Sequence, residues 1–359
     1  VQGSARPGPA EITVHAGGEP HALGPLLTFA PPSDPVFARM VAFGASLTQG
    51  VQAGVPSFEG AFDGPAWLIA RQAGADLPLP LLVPGLFPGM QPSDIGPAPG
   101  CAIPQVTDVV AEQTPLIVPQ LQPEGGGAIN ARPARLDPDL VPANLAVGGS
   151  QLRHHLDGPD TLGTRVVARL VYEPDGLLLG PVDGKPIEIV EAFEPTLIVS
   201  MDVFANDLAA PLILVDDLDP ASSPSLESLE ADLRRLLPRL AATGAQVFLG
   251  NMPRPSLLPA TWELRAKIVA EAEDPAAAAA AADANIAAID LHAERANALL
   301  AEVAAEHPTV HVVDLAAAVV AVERDGLVVG EHTLTTGKFG GLLGIDGIHF
   351  TDTGYGFLA

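Results

Sequence analysis

Residues 41–50 read Val41-Ala42-Phe43-Gly44-Ala45-Ser46-Leu47-Thr48-Gln49-Gly50. A short apolar strand runs into a glycine and then a serine on a sharp turn, with a second glycine closing the segment. An apolar run without polar alternation predicts a strand buried on both faces, as in a parallel sheet covered by helices on each side. Chemistry in such sheets sits at the carboxyl ends of the strands, where this serine falls. A serine hydroxyl is a weak nucleophile at neutral pH and needs a base, with a carboxylate to orient that base. Near the other end of the chain, residues 344–355 read Gly-Ile-Asp-Gly-Ile-His-Phe-Thr-Asp-Thr-Gly-Tyr. They supply His349 with Asp346 three residues before it.

Working outward, the pattern of strands and helices repeats. Residues 144–147, 195–203, 246–250 and 310–315 are apolar strand candidates, and 165–172 is apolar and β-branched, suggesting a hairpin over 165–188. Ser223-Pro224 carries a helix start signal, serine as N-cap and proline at the first position. The helix that follows has leucines at helical spacing from Leu226 to Leu240, and Pro238 predicts a kink or an end. Asp274-Pro275 repeats the start signal before a long alanine-rich helix over 276–306. Residues 64–74 form a further helix. Strands alternating with helices predict an α/β fold with a mainly parallel central sheet.

Residues 1–35 are rich in Pro, Gly and Ala and read as an N-terminal arm, with 36–359 as a single domain. Residues 77–142 are dense in proline and glycine and read as an insertion, either lying over the site or serving as padding. Gly125-Gly126-Gly127 lacks the lysine and following helix of a phosphate loop and reads as a flexible joint. Residues 354–359 read as the start of a helix cut short.

The bulk composition narrows function. The chain has 359 residues, 48% of them hydrophobic, enough for a sizeable core. Its net charge is −25, from 43 acidic and 18 basic residues, which argues against nucleic-acid phosphates or an anionic membrane as partner. No run of about 18 to 20 apolar residues predicts a transmembrane helix, and no signal peptide is visible from Val1 onward. The single cysteine, Cys101, excludes an intramolecular disulfide, reads as a passive residue, and leaves the compartment open. His154 and His155 are adjacent and make a poor metal pair. His307 and His311 straddle a proline without a ligand pattern. Asp314 ends a strand and reads as a cap. No metal is expected.

Taken singly, Ser46 reads as a helix N-cap, Asn206-Asp207 as a turn pair and His349 as a structural histidine. Taken together, Gly44-Ala45-Ser46-Leu47-Thr48-Gln49-Gly50, Asn144-Leu145-Ala146-Val147-Gly148-Gly149-Ser150, Phe204-Ala205-Asn206-Asp207-Leu208 and Asp346-Gly347-Ile348-His349 resemble, in order, the blocks of the SGNH hydrolases, the GDSL esterase/lipase family. The resemblance spans nearly the whole chain. It implies a three-layer α/β/α sandwich with flavodoxin-like topology and hydrolysis of carboxylic esters without cofactor. It implies Ser46 as nucleophile, His349 as general base and Asp346 as the group orienting it. The oxyanion hole implied is the backbone N–H of Ser46, the backbone N–H of Gly149 and the side-chain amide of Asn206. Physical chemistry suits each of these: a glycine lets backbone approach a ligand closely, and an asparagine amide donates without charge.

Two positions depart from the pattern. Ala45 stands where an aspartate usually precedes the serine, and Phe204 stands where a glycine is expected, to narrow the acyl site or to sit in the core. The substrate implied is a small-molecule or lipid ester, the apolar insertion favouring lipidic or aryl esters over sugar acetates. The resemblance leans toward a secreted or periplasmic setting. Two other readings remain open at this stage: a binding protein that kept the fold, and an acyltransferase using the same triad.

Overall fold

The computed structural model describes residues 8–16, 19–29, 32–52, 54–87, 128–213 and 217–359. Cys101, the Gly125–Gly127 triplet and most of the 77–142 insertion lie outside the described residues. Residues 1–35, read from their composition as an arm, contain regular structure instead: β1 (Gly8–Ala16) and β2 (Glu19–Phe29) pair antiparallel with register shifts near Glu11. The sequence of β1 alternates Ala10, Ile12 and Val14 with Glu11, Thr13 and His15, the period of a strand.

The central sheet consists of β3 (Met40–Ala42), β4 (Leu197–Ser200), β5 (Gln246–Gly250) and β6 (Val310–Val313), in that order and all parallel. Residues 143–147 run beside β3 on its free side. The N–H of Ala42 donates to the Ala143 carbonyl at 2.9 Å, Leu145 to Ala42 at 2.7 Å, and Val147 to Gly44 at 3.0 Å. The parallel pairing Ala42↔Asn144 is a single bridge.

The strands are short, and their residues alternate between two cores. Val41, Phe43, Ile198, Val247 and Leu249 pack against Leu152, Ile187, Leu236, Leu240 and Leu300 on one side. Those leucines and isoleucine come from the helices Leu152–Asp157, Pro186–Ala192, Leu226–Ala242 and Pro275–Ala304. Met40, Ala42, Leu197 and Val199 pack against Ala66 and Ala70 of the Pro65–Ala73 helix on the other. Met201, Leu315, Val319 and Tyr355 continue that second face through the helices Leu315–Asp325 and Asp352–Leu358. Helices on both faces of a parallel sheet make the three-layer α/β/α sandwich. β3 and β4 are buried on both faces, which requires their unbroken apolar runs, whereas Phe248 of β5 and Val313 of β6 are exposed.

The structure corrects several local expectations. Residues 165–172 are not a hairpin: Leu162–Val171 is a helix, capped by Thr161, whose side chain accepts the Thr164 N–H. Val166, Val167, Leu170 and Val171 are all buried, so a spacing of three to four won over β-branched propensity. The leucine-rich helix starts two residues later than Ser223-Pro224 suggests, because Ser225 is the cap and accepts the Ser228 N–H at 3.2 Å. It also passes through Pro238 to Ala242. Pro238 and Arg234 are both exposed, so the Arg234 carbonyl loses its helical partner on the solvent side, while Leu236, Leu237 and Leu240 hold the buried face. Asp274 caps the long helix, as its position before Pro275 predicts.

Candidate active site

The strand β3 ends at Ala42, and the chain turns at Gly44 with φ +148° into the single-turn helix Ser46–Gln49. A β-carbon on Gly44 would lie 2.6 Å from Oδ1 of Asp202 and 2.7 Å from Oγ1 of Thr48, so this turn requires glycine on grounds of space as well as conformation. Gly50 ends the helix in the left-handed region, φ +85°.

The second segment follows residues 143–147. Gly149 has φ +82°, in the left-handed region that favours glycine. Gln49 reaches across and accepts the Gly148 N–H on Oε1 at 2.9 Å, tying this loop to the serine helix. The third segment follows β4. Asn206 donates from Nδ2 to the Ser150 carbonyl at 2.7 Å, which leaves its second amide hydrogen for a ligand. Asp207 accepts the Leu152 N–H at 2.7 Å.

The fourth segment is the loop between Leu343 and Phe350, which pair antiparallel. Its backbone closes on itself, Gly344 N–H donating to the His349 carbonyl at 2.7 Å. Inside it, Asp346 Oδ1 accepts the N–H groups of Ile348 and His349 at 3.0 and 2.9 Å, and Oδ2 faces His349 Nδ1 at 2.7 Å. Burial works against the Asp346 charge, but the histidine and the two N–H groups bring its pKa below the ordinary carboxylate value. A carboxylate on Nδ1 fixes the proton there and leaves Nε2 as the acceptor. Nε2 has no hydrogen-bond partner among the described residues.

These segments converge. Ser46, Gly149, Asn206 and His349 all line one cavity of about 80 Å³. The sequence matches the family described as GDSL-like Lipase/Acylhydrolase over residues 40–359. The chain belongs to the GDSL-like lipase/acylhydrolase family. Membership makes it an ester-type hydrolase in the general sense and gives it the SGNH fold, to which the parallel sheet conforms. No curated protein matches the chain, and no solved structure does.

Other features of this family member follow from the same geometry. The N–H groups of Ser46 and Gly149 donate to no protein group among the described residues, whereas those of Ala45, Leu47, Thr48, Gly148 and Ser150 are all taken. The rest of the cavity wall is apolar and includes Leu47, Leu208, Met252, Pro255, Leu258 and Ile348. Phe204 is absent from it. Its ring is 1% exposed and sits in the sheet core with Phe43 and Val203, which decides between the two places open to it.

The remaining histidines have separate partners. His154 accepts the Gln151 N–H on Nδ1 at 3.1 Å and meets Asp160 through Nε2 at 2.8 Å. His155 meets the Val203 carbonyl through Nε2 at 3.2 Å, and His311 meets Gln246 at 2.8 Å. Asp314 caps the Leu315–Asp325 helix and holds Asn251 at 2.8 Å. Among the described residues no group of three or more His, Cys, Asp or Glu is arranged to hold a metal ion, and no helix is long and apolar enough to cross a membrane.

Three residues escaped the sequence reading: Asp202, Thr48 and Gln49. Asp202 lies two residues before Phe204, and a lone aspartate at a strand end carries no signal of its own. A buried strand running straight into an acidic residue was the only hint.

Proposed function

We propose that this protein hydrolyses carboxylic esters through an acyl-enzyme on Ser46. The observation that carries the reading is the shared cavity, with Ser46, His349 and the unpaired N–H groups of Ser46 and Gly149 on its wall. His349 Nε2 takes the proton from Ser46 Oγ as Oγ bonds to the acyl carbon. The carbonyl π pair moves to oxygen, and the resulting anion is held by the N–H groups of Ser46 and Gly149 and the free Asn206 amide hydrogen. The tetrahedral species collapses, the bond to the leaving alkoxide breaks, and His349 returns the proton to it. Water then attacks the acyl-enzyme with His349 again as base, releasing the acid and restoring Ser46. Asp346 holds the Nδ1–H and stabilises the imidazolium that forms at each proton transfer.

The apolar wall favours an acyl group without charge, and the small volume favours a short one. The substrate class is therefore a short-chain or aryl carboxylic ester. Ser46→Ala, assayed with p-nitrophenyl butyrate, is expected to lose turnover while keeping the wild-type fold. A fluorophosphonate probe is expected to label the wild type at Ser46. Retained turnover in Ser46→Ala would exclude the serine mechanism. Absence of labelling in folded wild type would favour a binding protein. Ester formation when an alcohol competes with water would favour acyl transfer.

A further inference from the structure

None of the steps above uses Asp202, a fully buried carboxylate just beyond β4. Its Oδ1 accepts the Ala45 N–H at 2.9 Å, the Thr48 N–H at 3.4 Å and the Thr48 hydroxyl at 2.5 Å. Its Oδ2 accepts the Leu47 N–H at 2.6 Å. The Thr48 hydroxyl in turn accepts the Met201 N–H at 2.8 Å, closing the network back onto the strand that carries Asp202. Burying a carboxylate is costly unless hydrogen bonds satisfy it, and here the donors come from a single turn.

The pattern of those donors is selective. Of the consecutive amides from Ala45 to Thr48, Asp202 takes three and leaves that of Ser46. The side chain of Ala45 is a methyl and offers the turn no acceptor. Sheet register brings the carboxylate there: Ala42 pairs with Val199, and Ala45 and Asp202 each lie three residues further on. Gly44 makes room, since any β-carbon there would collide with the carboxylate.

We propose that Asp202 is the positioning residue of the nucleophile: its carboxylate locks the Ala45–Thr48 turn so that the Ser46 N–H stays free for the oxyanion and Ser46 stays at the cavity wall. It acts through Ser46 and touches no substrate. The inference rests on the reading of Ser46 as nucleophile.

Asp202→Asn keeps the shape but sets an amide donor against N–H donors, so the turn shifts. Turnover of p-nitrophenyl butyrate is measured per active site titrated with the fluorophosphonate, which discounts unfolded molecules. The expected result is a fall in kcat of about 10²-fold, the scale of a misplacement near 1 Å, with KM nearly unchanged and the labelling rate falling in step. A lowered Tm with unchanged kcat per titrated site would mean a purely structural carboxylate and overturns the proposal. Ser46→Ala, run in parallel, separates the two claims. Lost turnover there with full turnover in Asp202→Asn removes the positioning role alone. Full turnover in Ser46→Ala removes the nucleophile and the positioning role with it. Should Asp202→Asn fail to fold, Thr48→Val deletes one hydroxyl donor, and a several-fold fall in kcat per site is expected. An unchanged kcat there overturns the proposal equally.

Discussion

Asp207 Oδ2 accepts the backbone N–H of Leu152 at 2.7 Å, joining the loop after β4 to the helix that follows Gly149. Its neighbour Asn206 makes a parallel link to the Ser150 carbonyl at 2.7 Å. Two adjacent side chains thus hold one wall of the site to another. Asp207 is 2% exposed, and its burial, with the Asp232 charge adding to it and the Leu152 N–H opposing, pushes its pKa up to about 7.

That shift has a stability consequence of definite sign. Between the ordinary carboxylate value and about pH 7, the native state holds a proton that the unfolded chain has lost. Stability therefore falls as pH rises through that window. Asp207→Asn keeps an acceptor for Leu152 and does not titrate. The Tm of the wild type is expected to decline relative to that of Asp207→Asn between about pH 4 and 7, by an amount on the order of a few kcal/mol in stability. Parallel Tm curves would contradict the shift.

His155 predicts the opposite slope at lower pH. It is 1% exposed, lies edge-on to Phe43 with ring centroids 5.2 Å apart, and is pushed down to about 3 by burial and by His154, against the Val203 carbonyl. It is neutral in the native state, whereas the unfolded chain protonates it below its ordinary value near 6.5. The stability present at neutral pH is lost progressively as pH falls from there toward 3. In His155→Gln, whatever its absolute stability, the dependence on pH between about 4 and 6 is expected to be shallower. Urea unfolding at several pH values measures this.

Asn206→Ala removes the side-chain amide proposed as an oxyanion donor. A fall in kcat of about 10²- to 10³-fold, equivalent to roughly 2.7–4 kcal/mol of transition-state stabilisation, is expected with a small change in KM. A change confined to KM would assign Asn206 to ground-state binding instead.

Asp346→Asn keeps an oxygen for the Ile348 and His349 N–H groups but no longer fixes the imidazole tautomer. Turnover is expected to fall by about 10⁴-fold with the fold retained. Because the Asp346 pKa is depressed, its contribution to stability is full above the ordinary carboxylate value and is lost as pH drops below it.

What could be read in the chain follows the range of the interactions involved. The strands β3 and β4 were legible because burial on both faces imposes unbroken apolar runs. The long helix was legible because Asp274-Pro275 is a local start signal. The 165–172 segment misled because Val166, Val167 and Val171 favour strands in isolation, while their burial on one helical face is a tertiary gain. Pro238 did not end its helix, because the cost of an interior proline depends on whether the orphaned carbonyl faces solvent, which the sequence does not state.

The order of the four cavity-lining segments is written in the chain, and so is the short reach from Asp346 to His349, three residues apart. Only long-range packing brings Asp202 to the amides around Ser46 and leaves that of Ser46 unpaired. The reason is geometric. The parallel register of Ala42 against Val199 sets two distant strand ends side by side, and hydrogen bonding between them depends on that register and on the space above Gly44, neither of which is a property of any local stretch of chain.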